Sequence, residues 1–262
     1  MAGRTIWKGY IHFANVNIPV KLHPVVKEER IQFHLLHAPD NNRLAQQMVC
    51  AVENVPVAKE EQTKGYEVEK GTFVIVDPDE LKAVDPEGSR MIEIKEFVKN
   101  EEIDPRFLER TYYLEADNSE KAYATLAEAL KETDRAGVGT WVMRNRNYVG
   151  VLRSKGRSLR LTTLRFFDEV VPADDLELPK ASVNEREIST GMMLIKEMSG
   201  SFDPDRYHNE YEKKLRGIIE AKARGEKIRI PHPKRVKATP SDELLKALQQ
   251  SLKKSLKEKQ KK

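Results

Sequence analysis

The chain of 262 residues has a single cysteine, Cys50. That excludes a disulfide framework and a zinc site built from thiolates alone, and it fits a reducing compartment. No run of about 18 or more apolar residues occurs, so neither a spanning helix nor a membrane partner is expected. The N-terminus lacks the basic-then-apolar order of a signal peptide, which makes the cytoplasm the expected location. There is no phosphate loop, dinucleotide fingerprint or serine nucleophile elbow, and no cofactor is implied. No internal repeat is evident.

Charge is abundant but segregated. The net charge of +4 conceals residues 227–262, where 12 Lys and Arg stand against 3 Asp and Glu. Within the remaining acidic body, residues 131–165 carry nine basic against two acidic side chains. Such segregation suits a protein that holds a polyanion on one surface and repels it from others.

Strand signals dominate the first two-thirds: residues 10–13, 17–22, 72–76, 91–98, 111–114, 141–153 and 159–167 are rich in β-branched and aromatic side chains. Ile92 and Ile94 alternate with Glu93 and Lys95, as in a sheet with one wet face. Between residues 151 and 161, Gly156 marks a basic hairpin tip. Asp117 with Glu120 predicts a capped helix whose stripe is Ala122, Leu126, Ala129 and Leu130. Further on, Asn184 caps a stripe of Ile188, Met192, Ile195 and Met198. Asp203 and Pro204 open a helix carrying Tyr207, Tyr211, Leu215, Ile218 and Ile219. Residues 226–240 form a basic, proline-bearing linker, and Leu244, Leu245, Leu248, Leu252 and Leu256 recur at helical spacing before a Lys-rich end.

Asp79 and the run Glu93, Ile94, Lys95 spell a metal-dependent nuclease site, in which two carboxylates would hold Mg²⁺ and the lysine would position water. Asp77, Pro78 and Glu80, however, give Asp79 a sufficient place in the first turn of a short helix, and Glu93 and Lys95 belong to a wet strand face. His34, His37 and Cys50 lack a fourth ligand for zinc, so no metal is assigned. Nucleic acid is the better match. Arg144 and Arg146 alternate along one strand and project from one face, with Arg153, Lys155 and Arg157 crowding the tip just beyond. These groups suit phosphates; no recognition element for base edges is visible.

Several stretches carry a family resemblance. Residues 6–9 (Ile-Trp-Lys-Gly), 16–22, 33–37, 64–67, Ile92-Glu93-Ile94 with Phe97-Val98, residues 102–105, 111–114 and 121–123, and Phe202-Asp203-Pro204 with Tyr207-His208 together resemble the bacterial Ku family of DNA-end-binding factors. The resemblance implies an α+β, mainly β fold: a seven-stranded barrel core over residues 1–180 with an embedded bridge at about 38–64. A helical arm at 181–225 and a basic tail at 226–262 would follow. It implies a ring-shaped homodimer on double-stranded DNA ends, acting without catalysis or base readout and recruiting an ATP-dependent DNA ligase for end joining. Arg43, Lys59 and Lys64 of the bridge would join Arg144, Arg146, Arg153, Lys155 and Arg157 on DNA. Lys253, Lys254, Lys257 and Lys259 would be tail contacts, and Leu244, Leu248, Leu252 and Leu256 the ligase-facing stripe. One departure stands out: Glu53 occupies the place where relatives carry a second bridge cysteine, which disfavours a bridge metal. Outside the resemblance, a metal-dependent nuclease and an RNA-binding or protein-interaction barrel are the rival readings.

Overall fold

The computed structural model describes residues 4–27, 30–84, 90–173, 176–177, 183–226, 240 and 243–259, the last four of these by backbone alone. It divides into two units, Met1–Asp175 and Leu176–Lys262. The first is built on a closed barrel of β1 (Trp7–Phe13), β2 (Val16–Pro24), β5 (Met91–Lys99), β6 (Leu108–Ala116), β7 (Arg135–Met143), β8 (Arg146–Lys155) and β9 (Ser158–Leu164). Around the barrel the order is β1-β2-β6-β9-β8-β7-β5. Closure comes from a parallel pairing of β1 with β5, and every other pair is antiparallel.

Alternation along each strand sends one set of side chains inward. Ile11, Ile18, Val20, Leu22, Ile92, Ile94, Leu114, Trp141, Leu152, Leu159 and Leu161 fill the interior. The large indole of Trp141 requires a small neighbour. Gly150 provides it, since a Cβ there would stand 2.6 Å from that ring and 2.7 Å from the Thr162 carbonyl oxygen. Helix α2 (Glu120–Glu132) contributes Leu126, Ala127 and Leu130 to the same core. Its Tyr123 hydroxyl donates to the Leu114 carbonyl and accepts from the Leu159 N–H, both at 2.7 Å. The helix is thereby stitched between β6 and β9, near the rim where β8 turns into β9.

Three local readings change. Residues 141–153 are not one strand: Arg144 and Asn145, with φ of 53° and 58°, form a two-residue turn between β7 and β8, the type I′ pattern. The cap of α2 is Ser119, and the Asp117 carboxylate pairs instead with Lys21 at 2.8 Å. Asp203 and Pro204 start only a 3₁₀ turn, Pro204–Arg206, and the helix begins after Asn209, whose side chain accepts from the Glu212 N–H. The turn at Gly156 stands as expected, with φ of 62° and Lys155 paired to Ser158.

The chain leaves the barrel after Pro24 and re-enters it at Met91, so the excursion is longer than the bridge expected at 38–64. It holds the exposed hairpin of β3 (Lys64–Glu69) and β4 (Thr72–Val76) and the short helix α1 (Pro78–Ala83). None of its described residues is buried. In α1, Asp77 is the cap and its N–H donates to Glu80 Oε2 at 2.9 Å, as its sequence predicts.

The second unit contains α3 (Glu185–Met198), α4 (Glu210–Ala223) and α5 (Leu244–Lys259), with α5 packed on α3. Asn184 caps α3 through a bond from the Arg186 N–H. The side of α3 that bears Thr190 is covered, while Ile188, Met192, Ile195 and Met198 stay exposed. The linker's residues 227–239 lie outside the described residues.

Candidate nucleic-acid interface

The basic side chains singled out from sequence do not form one patch. Arg144 and Arg146 sit at the turn where β8 begins, whereas Lys155 and Arg157 sit at the turn where it ends. Ten residues separate the two rims, roughly 30 Å at about 3.3 Å per residue. The expectation that one strand face carries Arg144 and Arg146 and leads straight into the Gly156 tip is therefore corrected. The cause is the Arg144–Asn145 turn, which reverses the chain and sends β8 away from it.

Each rim has a distinct character. At the first, Arg144 and Arg146 are exposed and the register of β6 and β9 brings Arg110 and Arg165 into the neighbourhood of Tyr148. At the second, Lys155 and Arg157 are exposed, and Arg153 lies half-buried on the outer wall facing Arg160 across the strand pair. Like charges opposite one another repel, and an anion between them would relieve that. Arg160 also stands over the Tyr113 ring at 5.6 Å, and an Arg153 N–H reaches the Asn100 carbonyl at 3.4 Å. Burial makes the Arg153 guanidinium less basic than usual. Arg110, Arg160 and Arg165 escape a reading by sequence clusters because strands far apart in the chain supply their neighbours.

In the excursion, two turns share one backbone pattern. The His37 N–H bonds the Asn42 carbonyl and the Asn41 N–H bonds that of His37; the Cys50 N–H bonds Val55 and the Asn54 N–H bonds Cys50 in the same way. Asn41 and Asn54 both have positive φ, at 59° and 57°. The turns carry His37 and Asp40 in one and Cys50 and Glu53 in the other. His37 pairs with Asp40 at 2.8 Å, Arg43 donates to His34 at 2.7 Å, and backbone N–H groups of Glu53 and Val52 hold the Cys50 thiol below its ordinary pKa. Among the described residues, no three His, Cys, Asp or Glu side chains converge as metal ligands. Arg43, Lys59 and Lys64 are exposed, the last at the base of the β3–β4 hairpin.

Both acids of the nuclease signature have local partners. Asp79 pairs with Lys82 at 2.8 Å within α1, and Glu93 pairs with Lys95 at 2.6 Å on the outer face of β5. The Lys95 ammonium holds the Glu93 carboxyl below its usual range. In α5, Lys253 and Lys254 are exposed, Leu244 is exposed, and Leu248 and Leu252 are half-buried. Leu256, Lys257 and Lys259 belong to the same helix by their backbone, and their side chains lie outside the described ones. No described helix is long and apolar enough to cross a membrane.

A closed barrel with arginines at both rims and a long unburied excursion between its second and third barrel strands defines the fold class. Residues 12–190 match the family described as Ku, Ku70/Ku80 beta-barrel domain. The chain is 55% identical over 254 residues to Non-homologous end joining protein Ku 2 of Geotalea uraniireducens (strain Rf4), covering 97% of this chain and 99% of that one. It is 38% identical to Non-homologous end joining protein Ku of Koribacter versatilis, across 86% of this chain and 77% of that one. With the protein of that name from Coxiella burnetii it shares 34% identity, over 100% and 97% of the two chains. The chain belongs to the Ku family.

Proposed function

We propose that the protein binds double-stranded DNA ends without sequence preference, as a ring-shaped homodimer, and recruits an ATP-dependent DNA ligase in end joining. Membership of the family and the end-joining role that its relatives are named for support the DNA end as ligand. The observation that carries the ring is the excursion from 25 to 90. It leaves Phe33, Leu35, Tyr66, Phe73 and Ile75 each more than half exposed in the single chain. Apolar surface on that scale marks an interaction site, and a second copy meeting it would close a loop of chain around a duplex.

Binding rests on phosphates. Lys and Arg displace condensed counterions, and encirclement restricts escape to the end, so no base contact is needed. The protein acts as a clamp and not as a nuclease, consistent with the local ion pairs of Asp79 and Glu93. Helix α5 is the ligase-recruiting element in this reading. Its packing on α3 leaves the exposed Leu244 and the Lys253–Lys254 pair available.

Electrophoretic titration of a linear duplex with ordinary and randomised sequences tests the reading, with equal affinities expected. Deleting residues 241–262 should spare binding and self-association while abolishing stimulation of the cognate ligase. Stimulation that survives the deletion would remove α5 from that role.

A further inference from the structure

At the Arg144 rim, β6, β8 and β9 enclose a cavity of about 360 Å³ with predominantly polar walls. Five of its lining side chains are donors without an acceptor. Arg110, Arg146, Asn147 and the hydroxyls of Tyr112 and Tyr148 make no side-chain hydrogen bond or ion pair among the described residues. Tyr112 is the most telling of them. Its residue is only 8% exposed, so the ring is fixed in the barrel core while its polar end meets the cavity.

The two carboxylates on the wall each have a protein partner. Glu109 takes the Arg165 guanidinium at 3.2 Å and the Thr163 hydroxyl at 3.3 Å, and Glu169 accepts from the Phe166 N–H at 2.8 Å. What remains is a set of cationic and neutral donors that line one cavity and make no bond to a protein acceptor. A phenol is protonated at neutral pH, and burial raises the Tyr112 pKa further, so the hydroxyl is present as a donor. The volume is at the small end of ligand sites, suited to one sugar-phosphate and not to a base pair.

We propose that this cavity receives a phosphate monoester, the terminal 5′-phosphate of a DNA strand, between the guanidinium groups of Arg110 and Arg146 and the hydroxyls of Tyr112 and Tyr148. The inference rests on the DNA-end reading above and deepens it. A monoester carries more charge than a backbone diester and presents three oxygens to such donors, so the cavity distinguishes a ligatable end from the rest of the duplex.

The test compares two short linear duplexes that differ only in carrying a 5′-phosphate or a 5′-hydroxyl, at one salt concentration. The wild-type protein should bind the phosphorylated duplex roughly tenfold tighter, about the value of one charge-assisted hydrogen bond. Tyr112→Phe, which keeps the packed ring, and the exposed Arg110→Gln should each reduce that ratio severalfold. Equal wild-type affinities overturn the inference and leave the DNA-end reading standing; binding to neither duplex overturns the reading beneath it. A preference that persists undiminished in both variants places the phosphate elsewhere and also overturns it. So does quenching of tryptophan emission by adenosine monophosphate without any 5′-phosphate preference, which would assign the cavity to a free monoester.

Discussion

Arg146 and Lys155 are the first and last residues of one strand, β8, and stand at opposite rims of the barrel. The separation of roughly 30 Å approaches one helical turn of duplex DNA, about 34 Å. A duplex can meet both rims only by running along the strand. The two basic groups are therefore separable by mutation.

Neutralising Arg144 and Arg146 together should flatten the salt dependence of DNA binding by about 1.8 log units per log salt, about 0.9 for each phosphate that is no longer neutralised. The same treatment of Lys155 and Arg157 should change it less, because α2 is stitched in beside that rim. Binding titrations between about 50 and 200 mM salt decide the matter. The reverse ranking would place the duplex on the Gly156 side.

Gly150 admits the Trp141 ring into the barrel. Gly150→Ala should cost about 1–3 kcal/mol, since the neighbours within 2.8 Å of the new methyl include backbone as well as ring. Urea unfolding followed by tryptophan emission measures it. Trp141 stacks on Tyr148 at 5.3 Å, so the emission spectrum should shift as well.

Tyr123→Phe removes a hydroxyl that serves two backbone groups at once. The Leu114 carbonyl and the Leu159 N–H, paired in register across β6 and β9, would both go without a partner. A loss of about 1–3 kcal/mol is expected for each group left unsatisfied and dry. Hydrogen exchange at the Leu159 amide should accelerate in parallel.

Strand signals in the sequence mark most barrel strands, while the count of seven comes with the family resemblance, since the 72–76 signal lies in the excursion hairpin and the 141–153 signal spans two strands. Gly156 announces its turn because a positive φ favours glycine. The Arg144–Asn145 turn adopts the same region without one, so residues 141–153 look continuous. The first half of β7 is hidden by Gly137 and Gly139, which suggest a break in a lone chain. Yet a Cβ at Gly139 would stand 2.5 Å from the Glu93 carbonyl oxygen, and only glycine permits that approach. The donors of the rim cavity come from β6 and β8, which β9 joins, and no local pattern could assemble them before the strand register was known.

The β3–β4 hairpin should belong to a protein–protein contact. Tyr66 lies opposite Val74, and Phe73 lies against Gly65 on the other face, with Tyr66, Phe73 and Val74 all open to water in the single chain. Replacing Tyr66 and Phe73 by serine should weaken self-association by roughly tenfold or more, as removal of aromatic anchors does. The barrel's unfolding midpoint should not move. Sedimentation equilibrium, with unfolding measured alongside, separates these effects.

Encirclement is tested most directly by topology. A linear duplex and a covalently closed relaxed circle of the same length and sequence compete for the protein at equal salt and equal base pairs. The clamp requires the circle to compete poorly and to become an effective competitor once a restriction enzyme opens it. Equal competition by the intact circle would contradict threading and with it the account of this protein as a ring on DNA ends.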